Sequence, residues 1–312
     1  MRSARRLVVV LALVVAGVAA QTARAVHGGS YTTATGEQVR VVVSDAYPVD
    51  EARNQRWADF LASLVHGPEL ATATLHLAPP SELWFLCGPE ALACYDGRQR
   101  RIFAAAEPVG DVSPEAAIAH EYGHHVALSR SNAPWPAVDW GTKRWATYVG
   151  ICAAAASDAV APGNEEERYA LNPGEAFAEV YRVLNERRLG LPETPWAIVH
   201  PRFVPDERAL ALVEQDVVAP WQGATTIRRS GRATPTRAAV VKLTTPLDGR
   251  VAATVRSAVP VHVELVLGGT VVGQATGRTA AVRGVVCGTR TASLRIRSTV
   301  GSVRYTLAVA RP

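Results

Sequence analysis

Acidic side chains nearly vanish from the last third of this 312-residue chain: between Gly223 and Pro312 only Asp248 and Glu264 are acidic, against 14 Lys and Arg. That scarcity excludes an acid-built calcium site there, since calcium takes about six to eight oxygen ligands. Cysteine is also scarce. The 4 present include no C-x-x-C pair, so a thiolate zinc site is excluded. Beyond residue 25 no apolar run approaches the ~20 residues that a bilayer span needs. No nucleic-acid-binding motif accompanies the basic residues, so a nucleic-acid partner is not expected.

The N-terminus carries Arg2, Arg5 and Arg6, an apolar run from Leu7 to Val18, and Ala23-Arg24-Ala25. This order predicts a secretory signal peptide over residues 1–25, with a cut after Ala20 or a retained anchor, for which the apolar run is short, as the alternatives, and hence a secreted or cell-envelope location. Without it the formal charge falls from +5 to +1. The remainder is polarised: residues 26–222 hold 15 basic and 26 acidic residues, and residues 223–312 hold 14 and 2. Two domains of opposite charge are expected. The basic one either docks on the acidic one, holds the protein at anionic envelope material, or simply wets the face of a sheet. An even cysteine count suits an oxidising compartment. Cys87 and Cys94 close a short loop and are expected to pair, leaving Cys152 and Cys287 to bridge the domains or stay free.

The most informative stretch is Ala119-His120-Glu121-Tyr122-Gly123-His124-His125-Val126, which contains H-E-x-x-H. Ser113 is a good N-cap, Pro114 suits the first helical position, and Ala116, Ala117 and Ala119 propagate a helix to about Leu128. Residues four apart lie one above the other, so His120 and His124 offer two imidazoles to one point, with Glu121 beside them. The rest of the circumference is apolar. Burying this polar sector unpaired would cost roughly 2–7 kcal/mol per polar group, and a divalent cation would satisfy it. Gly123 costs about 1 kcal/mol mid-helix relative to Ala, which points to close approach by another backbone. His125 borders the sector and is read as a neighbour of the site, or as a plain, partly exposed histidine.

Around this motif, Gln38 to Ser44 predicts a strand and Glu51 to Val65 an amphipathic helix. Ala71 to Leu77 and Glu82 to Leu86 read as strands separated by Pro79-Pro80. Arg101 to Ala105 reads as a strand after the Asp96-Gly97 turn, in position to be a sheet edge that receives an extended peptide. Trp135, Trp140 and Trp145 read as a packed subcore rather than an aromatic wall. Thr142 to Ala156 is expected to be helical, and the acidic run Glu165-Glu166-Glu167 a solvated loop. A helix to about Arg188 then buries Phe177, Val180, Tyr181 and Leu184 and aligns Glu175, Glu179 and Arg182 on its other side. A tetrahedral catalytic zinc site takes three protein ligands. Glu175 is the candidate third ligand, Glu179 the carboxylate that orients an imidazole, and Arg182 the balancing charge. The alternative is an ordinary exposed Glu-Arg face.

At His120, Glu121, His124, Glu175 and Glu179 the chain resembles the gluzincin zinc metallopeptidases. Their H-E-x-x-H is followed by a helix carrying a ligand Glu and an acidic residue four positions on. The resemblance covers chiefly residues 113–190. Metzincins differ, because their extra Gly and His positions hold Ala127 and Arg130 here. In Gly141-Thr142-Lys143-Arg144-Trp145 a Trp stands where an aspzincin has its ligand Asp. From residue 223 the largely alternating segments Arg237–Leu243, Arg250–Val255, Val261–Leu267, Ala292–Arg297 and Ser302–Ala310 predict an antiparallel β-sandwich, similar in pattern to pre-peptidase C-terminal domains.

The expectation is an α+β protein, a zincin-like domain over residues 26–222 followed by an all-β sandwich over residues 223–312. It would be a secreted peptidase acting on a peptide or protein substrate. One Zn2+ would sit on His120, His124 and Glu175, Glu121 would act as general base, and Tyr169 and His200 are candidate oxyanion donors. The alternative is a metal-binding module without peptidase activity, acting through the basic domain.

Overall fold

A computed structural model describes residues 25–89, 91–195, 200–288 and 290–312; the expected signal segment falls outside these residues except for Ala25. Fold and composition agree on a mixed α and β protein. In β2 (Gln38–Ser44) the alternating Val39, Val41 and Val43 are fully buried. β1 (Val26–Thr32) pairs antiparallel with β2, and β3 (Thr74–Leu77) pairs parallel with it. Asp50 caps α1 (Glu51–Ser63) by accepting from the Arg53 N–H at 2.9 Å. The expected strand from Ala71 starts three residues late because residues 68–72 form a 3-10 turn.

Glu82 to Leu86 is not a strand. It lies in α2 (Pro80–Cys87), because Pro80 at the first helical position starts a helix, and only Leu83 of this helix is buried. The Cys87–Cys94 disulfide ties α2 to β4 (Ala93–Asp96), which turns back into β5 (Arg101–Ala104). The strand order is β1-β2-β3-β5-β4. β5 is therefore interior, and the sheet edge expected at Arg101 to Ala105 belongs to β4.

α3 (Pro114–Leu128) begins at the Ser113 cap, whose hydroxyl accepts from the Ala116 N–H at 3.1 Å. Short strands β6 (Ser131–Asn132) and β7 (Trp135–Pro136) and helix α4 (Ala137–Trp140) follow. The helix expected over residues 142–156 is two helices, α5 (Lys143–Tyr148) and α6 (Ile151–Ala156), broken where Gly150 takes φ +74°. Trp145 is fully buried against Phe177, whereas Trp135 and Trp140 stack 4.8 Å apart and are half-buried. α7 (Pro173–Leu189) is buried along nearly its whole length, so the reading of Glu175, Glu179 and Arg182 as an exposed face does not hold. α8 (Glu207–Val218), which has no counterpart in the sequence expectations, completes this half.

The C-terminal strands are β8 (Thr225–Ala233), β9 (Ala239–Thr244), β10 (Gly249–Leu267), β11 (Thr270–Val286), β12 (Thr291–Ser298) and β13 (Val303–Arg311). They form one antiparallel sheet, nearly barrel-like, rather than two stacked sheets. The expected strands 250–255 and 261–267 are halves of β10. It pairs with β13 through residues 252–257, with β12 through residues 261–267, and with β11 along its length. A register shift between Arg256 and Val261 bends it from one partner to the other. The main apolar clusters comprise residues 39–217 and residues 233–309. Cys152 and Cys287 are joined across these two parts, and the Asp248 backbone meets the Thr147 hydroxyl at 3.1 Å. Among the described residues no ion pair joins the basic half to the acidic half. Both disulfides fit an oxidising compartment. No helix among the described residues is long and apolar enough to cross a membrane.

Candidate metal centre

Packing of α3 against α7 builds the site. A Cβ placed on Gly123 would lie 2.9 Å from the Ala178 Cα, so the glycine permits the backbone approach that its mid-helix position suggests. His120 Nε2 then lies 3.1 Å from Glu175 Oε2, His124 Nε2 lies 3.3 Å from Glu175 Oε1, and the two Nε2 atoms are 3.3 Å apart. Ligands about 2.0–2.1 Å from a tetrahedral centre are separated by about 3.3–3.4 Å. These three groups can therefore hold one metal ion. His120 and Glu175 are buried, while the His124 side chain keeps 12 % exposure, which leaves a solvent side.

Electrostatics point the same way. Glu121, Glu175 and Glu179 are all buried here. Burial disfavours charge on His120, but Glu175 and Glu179 outweigh it and push the imidazole up to about 10. Burial likewise opposes charge on His124, and Glu175 overrides it in the same upward direction. Glu175 is pulled far below the usual carboxylate range: burial resists, and His124 and His120 prevail. The pocket demands positive charge, and two imidazole nitrogens with one carboxylate oxygen form a donor set suited to zinc among other divalent ions.

Behind the triad, Glu179 Oε2 approaches His120 Nδ1 at 3.5 Å, which orients the ring with Nε2 toward the cluster. Arg182 pairs with Glu179 on one side and Glu186 on the other, all three buried. The Tyr169 hydroxyl donates to Glu175 Oε2 at 2.6 Å. Burial, then Glu175, raises its pKa strongly. Burial also raises the Glu121 carboxyl, against the pull of His120 and His124.

Two expected residues go elsewhere. His125, about 100° round α3 from His124, faces β4 and the turn before β3; it meets the Tyr95 hydroxyl at 2.8 Å and the Glu69 carbonyl at 2.9 Å. Its reading as a neighbour of the ligands does not hold. His200 caps its own 3-10 turn, accepting from the Arg202 N–H at 3.2 Å and touching the Phe203 ring. It is not among the groups gathered at the ligand cluster. Glu165, expected in a solvated loop, is exposed as that reading has it. It accepts from Asn172 Nδ2 at 2.8 Å, and Asn172 caps α7 through the Gly174 N–H. Partial burial, then the charge of Glu175, raises the Glu165 carboxyl.

No protein-family model matches this chain, and no curated protein matches it.

Proposed function

We propose that the protein is a secreted zinc peptidase of the gluzincin kind, in which residues 26–222 form a zincin-like catalytic domain. The observation that carries the reading is the buried cluster in which one donor atom each of His120, His124 and Glu175 lies within 4.8 Å of the others, with Glu121 next to it in sequence. Those three residues would hold the ion. When bound, such an ion polarises a carbonyl and lowers the pKa of water toward ~7.

The chain supplies the rest. Glu121 takes the proton of the attacking water and delivers it to the leaving amine; its environment raises its affinity for that proton. Tyr169 donates to Glu175, and its hydroxyl is the candidate donor for a developing oxyanion. Glu179, fixed by Arg182, holds His120 in one ring orientation. β4 is an edge strand and can accept an extended peptide backbone.

Purified full-length chain, analysed for metals and incubated with quenched-fluorescence peptide pools, tests this. One zinc per chain and cleavage abolished by chelator, then restored by zinc, is the expected result. Stoichiometric zinc with no cleavage of any pool would leave a metal-binding protein that is not a peptidase. No stoichiometric metal would remove both readings.

A further inference from the structure

The C-terminal sheet carries a groove of ≈ 690 Å3 lined by Arg232, Arg256 and Arg304, with Ser230 and Thr306 between them. Strand pairing explains the convergence. Arg304 on β13 stands directly opposite Arg232 on β8, and Thr306 stands opposite Ser230 on β8 and Arg256 on β10. Three arginines from three neighbouring strands thus leave the backbone on one face, where strands lie about 4.8 Å apart and successive same-face positions about 6.8 Å apart along a strand.

All three arginines are exposed. Among the described residues none has a carboxylate partner, because the acids of this half, Asp248 and Glu264, pair with Arg290, His262 and Arg295. Like charges directly opposite each other weaken a sheet, so folding gives no reason for facing Arg304 with Arg232. Charge on an exposed edge strand guards against aggregation, which accounts for Arg232. It does not account for Arg256 and Arg304, whose strands are paired on both sides. Nor, among the described residues, does any of the three pair with a carboxylate of the acidic half.

We propose that this groove binds a linear polymer bearing phosphate groups. A guanidinium fork engages phosphate bidentately. The hydroxyls of Ser230 and Thr306 add donors between the forks, which suits a tetrahedral oxyanion with several free oxygens. Single-stranded nucleic acid binds on aromatic surfaces where bases stack; the one ring at this groove, Tyr305, is only 6 % exposed. A lipid surface needs apolar side chains that insert. The exposed valines of this half, Val240, Val271, Val272, Val285 and Val300, all lie outside the groove.

The test measures binding of fluorescently labelled inorganic polyphosphate to the full chain. The wild type is compared with Arg232→Ser/Arg256→Ser/Arg304→Ser and with the charge-matched control Arg237→Ser/Lys242→Ser/Arg297→Ser, whose positions lie outside the groove. The wild type should bind with an affinity that falls as salt rises. The groove variant should bind about tenfold or more weakly and lose about 2 from the logarithmic salt slope, as expected for three lost phosphate contacts, while the control changes little. Thermal melts establish that both variants are folded, and the single reversal Arg256→Glu, at an exposed position, repeats the test if the triple variant is not. Equal weakening in groove variant and control would reduce the effect to diffuse charge and overturn the proposal. So would absence of wild-type binding at physiological salt, or tighter binding to oligo(dT) or phosphatidylglycerol vesicles than to polyphosphate.

Discussion

Gly123 of α3 and Ala178 of α7 meet so closely that a Cβ on the glycine would sit 2.9 Å from the Ala178 Cα and 3.3 Å from its Cβ. Glu175 lies one turn before this contact and Glu179 immediately after it, so the same approach brings both carboxylates to His120. Helix propensity alone would make Gly123→Ala stabilising by about 1 kcal/mol. The lack of space predicts the opposite sign, a loss of roughly 1–3 kcal/mol from overpacking, together with weaker metal binding as α7 is pushed away. Urea unfolding and metal titration read both effects. A variant more stable than the wild type with unchanged metal affinity would show that the helices have room to spare.

Glu121→Gln separates chemistry from ligation. The side chain keeps its size and loses its basicity, while His120, His124 and Glu175 are untouched. Metal content should stay at the wild-type level, and peptide turnover should fall by about 10²–10⁴. Retained turnover would remove Glu121 as the base.

The row Glu179, Arg182 and Glu186 predicts two distinct failures. Glu179→Gln weakens the carboxylate behind His120 Nδ1 and should cost about 10- to 100-fold in metal affinity with modest loss of stability. Arg182→Met instead strands two buried carboxylates, and removing one partner of such a network costs roughly 3–5 kcal/mol. Guanidinium unfolding alongside metal titration distinguishes them. If Arg182→Met is as stable as the wild type, the network does not bear on the fold.

The site was legible where chemistry follows helical spacing. Ser113, Pro114 and the alanines foretold the limits of α3, and the four-residue repeats His120/His124 and Glu175/Glu179 foretold which side chains face one another. What depended on neighbours distant in sequence was not. The direction of His125 is set by Tyr95 and by the Glu69 carbonyl. The C-terminal strands were found where valine and leucine alternate. β8, rich in Thr, Arg and Ser, escaped because pairing with β13, rather than burial of its own side chains, holds it in the sheet, and β11 escaped because its first half is largely unburied and its core residues Ala280, Val282 and Val286 come only toward its end. Residues 82–86 misled for a related reason: Trp84, Phe85 and Leu86 are apolar and yet exposed.

Lys143 offers a pH test of the junction between the two halves. Its Nζ donates to the Ala133 carbonyl at 2.7 Å, lies 4.5 Å from the centre of the Trp221 ring, and abuts Gly249. Burial pulls its pKa down from 10.5 to about 8, with Asp248 and Asp216 opposing. Once unfolded, the amine returns to its ordinary value, ~10.4. Between those two values the unfolded chain holds a proton that the folded chain has released, so stability contributed by this group rises with pH and levels off above the upper value. Below about 8 both states are protonated and the burial cost of the charge is fully present. Lys143→Met removes the titration. The wild type should therefore gain on the variant from about pH 8 to about pH 10.5, by at most ~3 kcal/mol for a shift of this size. Denaturant unfolding of both proteins across that window measures the difference. A constant difference would mean that Lys143 keeps its proton throughout and that Asp248 and Asp216 hold it more firmly than its burial suggests.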